Sequence, residues 1–285
     1  MKIIVRPDGG KAVELVAGMI RHWLGQNPHL VMGLATGRTM EAVYARLVQM
    51  HQLAGLDFAR CRTFNLDEYV GLPGNHHNSY RHYMHQHLFG KVNIEPQNTH
   101  VPNGMADDLA GECNDYEEAI IRCGGIDLQL LGIGNNGHLG FNEPISGFNS
   151  RTRVQVLSQA TRLQNASLFS APEEMPCCAI TMGLKTILEC RQCLLLATGE
   201  DKATIVSQAL EGPITSMIPA TALQLHADCL VVLDEAAAGG LKNKDYYHAT
   251  FETLPELELC RAIVANGTDP QLPLKTSPEA ELVCK

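Results

Sequence analysis

Residues Leu130–Pro144 read LLGIGNNGHLGFNEP. Immediately upstream, Ile126-Asp127-Leu128-Gln129-Leu130-Leu131 is a mostly apolar run of the kind that a strand buried on both faces carries. The run then breaks into Gly132, Gly134, Gly137 and Gly140, with Asn135, Asn136 and His138 among them and Asn142 and Glu143 just after. Glycines let a backbone turn sharply and approach a ligand closely. Polar groups at the C-terminal end of a strand stand where open α/β sheets bind ligands. An imidazole, a carboxylate and amides gathered there are the parts of a proton-transfer device. A polar surface loop would need neither the glycine spacing nor the pairing of His with Glu.

The pattern of strand, loop and helix recurs on both sides of this stretch. His29–Ala35 reads as a nearly all-apolar strand, Thr36-Gly37-Arg38-Thr39 as a loop, and about Met40 to His51 as a helix. That junction aims free amides and a positive dipole end at an anion, although an ordinary strand-to-helix turn has the same outline. Cys61–Leu66 is a further strand, closing in Asp67-Glu68-Tyr69. Two adjacent carboxylates at a buried strand end are costly unless paired or used, and alternation lets only one of them face a pocket. The other outcome is a pair of turn or capping residues before Gly71-Leu72-Pro73. Cys193–Thr198 runs into Gly199-Glu200-Asp201-Lys202 and then a helix through Leu210. A lysine in a helix's first turn opposes the dipole, which points to a bound anion or to a solvent-facing side chain.

The remaining periodicity gives strands at Lys2–Val5, Arg151–Leu157, Ala179–Met182 and Leu230–Leu233. It gives helices at about 11–25, Asn78–Phe89 and Glu112–Cys123, and a short helix start at Ala236–Gly240. Alternating strands and helices make an α/β sandwich with a largely parallel sheet. No GxGxxG with a downstream ribose-binding acid is present, so a dinucleotide site is not expected. Residues 1–267 read as one domain, and the segment 268–285 as a polar, mobile tail.

The 285 residues carry a formal charge of −9, which argues against nucleic-acid or anionic-membrane binding. No apolar run approaches the ~18 residues a bilayer span needs, and Met1–Asp8 reads as a strand and turn rather than a signal peptide. The 10 cysteines are scattered, with one CxxC at Cys190–Cys193 and no second paired set or histidine pair at zinc spacing. Buried, reduced thiols in a cytoplasmic protein are the expectation, with no metal. His82, His85 and His87 read as a solvated or interface helix face.

GIGNNGHLGFNEP is similar to the G-x-G-x-D-G-H-x-x-F-N-E-P signature of the glucosamine-6-phosphate deaminase family. FNLDEYVGLP at 64–73, SRTR at 150–153 and the TGxT loop at 36–39 extend the resemblance over about residues 1–250 in the same order. It implies a Rossmann-like three-layer fold with ligand at the strand C-termini, no cofactor, and a homo-oligomer, often a hexamer. The implied activity is that of a deaminase-like hydrolase/isomerase, turning glucosamine 6-phosphate into fructose 6-phosphate and ammonia. The alternatives are the galactosamine epimer giving tagatose 6-phosphate, a 6-phosphogluconolactonase-like hydrolase, and a non-catalytic sugar-phosphate sensor.

By the same resemblance Asp67 is the base that moves a proton from C2 to C1, and His138 the acid/base that opens the ring. Glu143 orients His138 or balances its charge. Three departures stand out. Asn136 replaces the family's Asp, and its amide oxygen is expected to accept the imidazole N–H. Ser167 stands where the family carries an arginine, so Arg38, Lys202 and the amides of Gly37 to Thr39 are expected to hold the phosphate beside Thr36. Gln155 stands where hexameric relatives carry a lysine near SRTR, which argues against allosteric activation.

Overall fold

The structure, a computed structural model, describes residues 1–165, 169 and 175–266. Ser167 and the segment 268–285 lie outside the described residues. The chain opens with β1 (Lys2–Arg6), α1 (Gly9–Gln26), β2 (Val31–Leu34), α2 (Arg38–Ala54), β3 (Arg62–Asn65), β4 (Asp67–Tyr69) and α3 (Tyr80–His87). It continues with β5 (Thr99–His100), α4 (Leu109–Arg122), β6 (Leu128–Leu131), β7 (Arg153–Val156), α5 (Gln159–Asn165), β8 (Cys178–Thr181) and α6 (Leu184–Leu188). It closes with β9 (Gln192–Ala197), α7 (Ala203–Glu211), β10 (Cys229–Asp234), α8 (Lys244–Thr253) and α9 (Glu258–Asn266).

Seven strands form one parallel sheet in the order β1-β10-β9-β6-β2-β3-β5. Its inner strands are buried along their length: every residue of β2, β6 and β10 is inaccessible to solvent. Helices cover a sheet of this kind on its faces, which is why its strands read as continuous apolar runs rather than alternating ones. α1 shows the matching helical logic. Asp8 caps it by accepting the Lys11 N–H at 2.8 Å, and Ala12, Leu15, Val16, Met19 and Ile20 are buried. α2 ends where Gly55 takes φ 66 as its C-cap.

Three strands form a second, antiparallel sheet in the order β4-β8-β7, with Asp67 opposite Thr181 and Arg153 also opposite Thr181 across β8. This corrects the expectation that Asp67-Glu68-Tyr69 merely closes the third strand. After one intervening residue, Leu66, the chain enters a different sheet. Leu66 serves both: its N–H donates to Leu34 O at 3.0 Å, and its carbonyl accepts from Met182 N at 2.7 Å. A small core of Tyr69, Phe141, Leu157, Phe169, Met175 and Ala179 sits under the second sheet, separate from the main one. No helix among the described residues is long and apolar enough to cross a membrane.

Candidate active site

The loops that follow β2, β6 and β9 leave the C-terminal ends of three adjacent parallel strands, and the β3–β4 junction lies one strand further along. The loop after β6 is built around its glycines. Gly134 donates to His138 O at 3.0 Å and Gly137 donates to Gly134 O at 2.9 Å, closing a tight turn. The imidazole of His138 lies flat over Gly134, where a Cβ would come within 2.2 Å of ring atoms Cε1 and Nε2. Gly134 is therefore the floor of the ring's pocket. Gly140 takes φ 57, and a Cβ there would meet Asp67 Oδ2 at 3.0 Å. The carboxyl at the start of β4 thus lies against the same loop that carries His138, two residues away.

Burial lowers the His138 pKa, with Lys202 acting in the same direction and Glu143 opposing it. The imidazole is therefore held neutral, and Nδ1 is buried without a hydrogen-bond partner among the described residues. Glu143 Oε2 is 4.0 Å from Nδ1. Burial works against the Glu143 charge, but hydrogen bonds from Thr161, Asn136 and the Ser158 amide outweigh it and hold the carboxyl below its ordinary value. Asn136 differs from expectation. Its amide donates to Glu143 Oε2 at 2.9 Å, and its oxygen accepts the backbone N–H of His138 at 3.2 Å rather than an imidazole N–H. A side chain two residues before His138 turns back more readily onto the backbone than out to the ring.

Asp67 and Glu68 divide as strand alternation requires. Glu68 accepts from Tyr69 N (2.8 Å), Ser79 Oγ (2.7 Å), Tyr80 N (2.9 Å) and Arg81 N (3.0 Å), so it fastens the N-terminus of α3. Asp67 is 5% exposed. Burial, reinforced by the neighbouring Glu68 charge, pushes its carboxyl up to about 8.

The loop after β2 is tied both to its own helix, where Gly37 O accepts from Met40 N at 2.9 Å, and to α3. The Tyr83 hydroxyl donates to Gly37 O at 2.8 Å, and the Tyr80 hydroxyl is hydrogen-bonded with Thr36. Thr39 follows in the first turn of α2. Arg38 is exposed, and its guanidinium makes no hydrogen bond or ion pair with another described residue. Lys202 closes a single 3-10 turn before α7; its Nζ is half-buried, donates to Asn135 Oδ1 and lies 3.7 Å from Asp201. Burial lowers its pKa.

Sequence reasoning missed the aromatic brace. Tyr80 stacks on Phe141 at 5.9 Å and tilts against Tyr69 at 5.0 Å, and Tyr69 meets Asn165 Nδ2 at 3.2 Å. Thr161 and Ser158 were missed likewise. Each lies far from the loop in sequence, and only the folding of β7 and α5 brings it to Glu143. The one residue with a local signal was Ser79, a capping residue ahead of a helix. Away from the site, Cys190, Cys193 and His226 bring donor atoms within 4.8 Å of one another. The CxxC thus acquires a histidine that its sequence neighbourhood does not supply.

Residues 10–232 match the model of a family described as glucosamine-6-phosphate isomerases/6-phosphogluconolactonase. A glucosamine-6-phosphate deaminase of Shewanella loihica is 49% identical over 247 residues, covering 87% of this chain and 92% of that protein. One of Clostridium botulinum is 43% identical, with 86% and 99% covered. A solved structure described as a monomeric glucosamine-6-phosphate deaminase superposes with a TM-score of 0.82 at 42% identity, over 84% of this chain and 100% of that one. The 6-phosphogluconolactonase of Trypanosoma cruzi superposes at 0.68 with 20% identity, over 85% and 97%, a likeness of fold alone.

Proposed function

Because this chain belongs to the family of glucosamine-6-phosphate isomerases and 6-phosphogluconolactonases, we propose that it converts glucosamine 6-phosphate and water into fructose 6-phosphate and ammonia. The observation that carries this reading is the contact of a buried, proton-hungry carboxyl, Asp67, with Gly140 of the loop that bears His138. Two proton-transfer groups brought to one loop suit a substrate that must first open and then isomerise.

In this reading the neutral His138 takes the anomeric hydroxyl proton and returns one to the ring oxygen, opening the pyranose. The ionised form of Asp67 then removes the C2 proton and delivers it to C1, a transfer for which a raised pKa makes it the stronger base. In the same exchange O1 takes a proton from the substrate's own ammonium group, so the carbonyl double bond passes through a C1–C2 enolamine to a C2 iminium, and water adds there to release ammonia and leave the C2 ketone. Glu143, held ionised by Asn136, Thr161 and Ser158, steadies the imidazolium that appears during ring opening. The loop amides from Gly37 to Thr39, with Arg38 and Lys202, receive the phosphate. An exposed, unpartnered guanidinium at a helix start is free to pair with it bidentately.

The relatives named above favour the glucosamine epimer. The test is release of ammonia and ketose phosphate from glucosamine 6-phosphate, with galactosamine 6-phosphate and a 6-phosphogluconolactone as controls. Turnover of the first with an inert lactone is expected, and lactone hydrolysis alone would overturn the reading. The homo-oligomer expected from the resemblance is a separate reading, measured by sedimentation velocity; the solved relative at 42% identity is described as monomeric.

A further inference from the structure

Cys190 sits in the turn between α6 and β9, and Cys193 is the second residue of β9. Their sulfurs are 3.3 Å apart. Cys193 is fixed by the sheet: β9 runs between β6 and β10, and the Cys193 N–H donates to Asp228 O at 3.0 Å. Cys190 lies on the freer side, with its N–H held by Ile187 O at 3.3 Å. The imidazole of His226 reaches it from the turn ahead of β10, with Nε2 at 3.5 Å from the Cys190 sulfur and 2.9 Å from the Cys190 carbonyl.

Two chemistries use two thiols and an imidazole at this spacing. One is a soft metal ion, and the other is thiol–disulfide exchange. The hydrogen bonds of His226 separate them. Its Nδ1 accepts the Asp228 N–H at 3.0 Å, so the single proton of the neutral ring stands on Nε2, the nitrogen that faces Cys190. A metal bound at Nε2 needs that nitrogen bare and the proton on Nδ1, where it would meet the Asp228 N–H head-on. The Nε2–H is shared between the Cys190 carbonyl, at 2.9 Å, and the Cys190 sulfur, at 3.5 Å, where it can steady a thiolate.

Access is asymmetric in the same sense. Cys190 is 5% exposed and lines a cavity of about 220 Å³ together with Glu117, Ile126, Arg151 and Glu189, whereas Cys193 is 0% exposed. The cavity therefore borders one cysteine of the pair and not the other. We propose that Cys190 and Cys193 are a redox-active dithiol, in which Cys190 is attacked first by a hydroperoxide and Cys193 resolves it to an intramolecular disulfide.

The Cys190 thiolate attacks one peroxide oxygen, the O–O bond breaks, and Cys190 becomes a sulfenic acid while hydroxide leaves and is protonated. The Cys193 thiol then attacks the sulfenic sulfur, the S–O bond breaks, and its proton departs with the oxygen as water. Overall two thiols give two electrons and two protons to one hydrogen peroxide, leaving one disulfide and two waters. The sulfurs must close from 3.3 Å to a bond of ~2 Å, a movement within the reach of the Cys190 side of the turn. Hydrogen bonding from Cys193, outweighing burial and assisted by His226, lowers the Cys190 thiol to about 6, while the same contact and burial push Cys193 up. Both directions fit the assigned order of attack.

The chain carries its own reporter, because Arg191 lies between the two cysteines and trypsin cuts after it. The full-length protein is treated with hydrogen peroxide at pH 7, blocked with N-ethylmaleimide under denaturing conditions, digested and analysed by mass spectrometry. The expected product is peptide 186–191 joined to peptide 192–202, reversed by dithiothreitol. It should form ~10-fold faster than oxidation of the exposed Cys177, as an activated thiolate does. In Cys193→Ser, dimedone should label Cys190; in Cys190→Ser, Cys193 should remain unlabelled. Two separate maleimide-blocked peptides in the wild type, at a peroxide dose that oxidises Cys177, would overturn the proposal without recourse to either variant. A link from 192–202 to the Cys229 peptide, or one equivalent of zinc that copurifies and shields both thiols, would overturn it equally.

Discussion

The loop after β6 and the loop after β2 leave neighbouring strands of one sheet, yet they are finished to different degrees. In the first, Asn136, Glu143 and the His138 backbone are locked to one another, and Gly134 and Gly140 are shaped to the groups lying on them. In the second, Thr36 and Gly37 are steadied from α3, but Arg38 projects into solvent without a partner. Under the proposed function, the proton-moving side is organised before substrate arrives and the anion-holding side is completed by the anion. The lesson is kinetic. Damage to the first loop should fall on kcat, and damage to the second on KM.

The largest effect tests the first half of that division. Asp67→Asn should lower kcat by about 10²- to 10⁴-fold with KM little changed, since it removes the proton-transfer group and keeps its shape. The same variant should be more stable at pH 8. An acid whose folded value is about 8 and whose ordinary value is 3.8 binds its proton more tightly in the folded state, so its stabilising contribution is complete below about 4 and is lost as pH rises through 8. Differential scanning calorimetry should show a Tm gain of about 2–4 °C for each kcal/mol relieved, shrinking toward pH 4. In the wild type, kcat/KM should rise with pH up to about 8 as Asp67 ionises.

Next in size is Gly134→Ala. A methyl 2.2 Å from the imidazole must evict it, and kcat should fall on the order of 10²-fold. Arg38→Ala then probes the open side. Loss of one charge-assisted phosphate contact should raise KM about 10-fold with kcat preserved, and the loss should be smaller for an unphosphorylated sugar. An unchanged KM would remove Arg38 from the anion site and leave Lys202 and the amides to hold it. The smallest effect is expected for Asn136→Asp. It places a second carboxylate 2.9 Å from Glu143, so the pH–rate profile should move toward higher pH by about one unit while the maximal rate changes less than tenfold. A profile that stays in place would separate position 136 from the titration of the site.

Most of the sheet was legible because its strands are mostly apolar runs, as β6, β9 and β10 are. The small sheet was half legible. β7 alternates and β8 is a short apolar run, but β4 is only DEY, and a three-residue strand has no period to read. α8 escaped because its apolar positions are sparse, and α9 because it is only nine residues long and is entered through a proline turn. Among the candidate residues, Asp67 stood out as a carboxylate closing an apolar strand, and His138 and Glu143 as an imidazole and a carboxylate in one glycine-spaced loop. Tyr80, Thr161 and Ser158 were not, because they act across elements. Asn136 shows a finer limit: its importance was readable, while its partner depended on which way a short side chain turns.

Leu66 ties its N–H to one sheet and its carbonyl to the segment leaving the other, with no spare residue between. A junction without slack behaves as a rigid coupling rather than a joint. Any slide of one sheet past the other is delivered in full to the carboxyl that follows it. It also makes the spot intolerant of length change. One residue inserted after Leu66 would reverse the strand's faces, aim Glu68 at the loop glycines and leave α3 without its anchor.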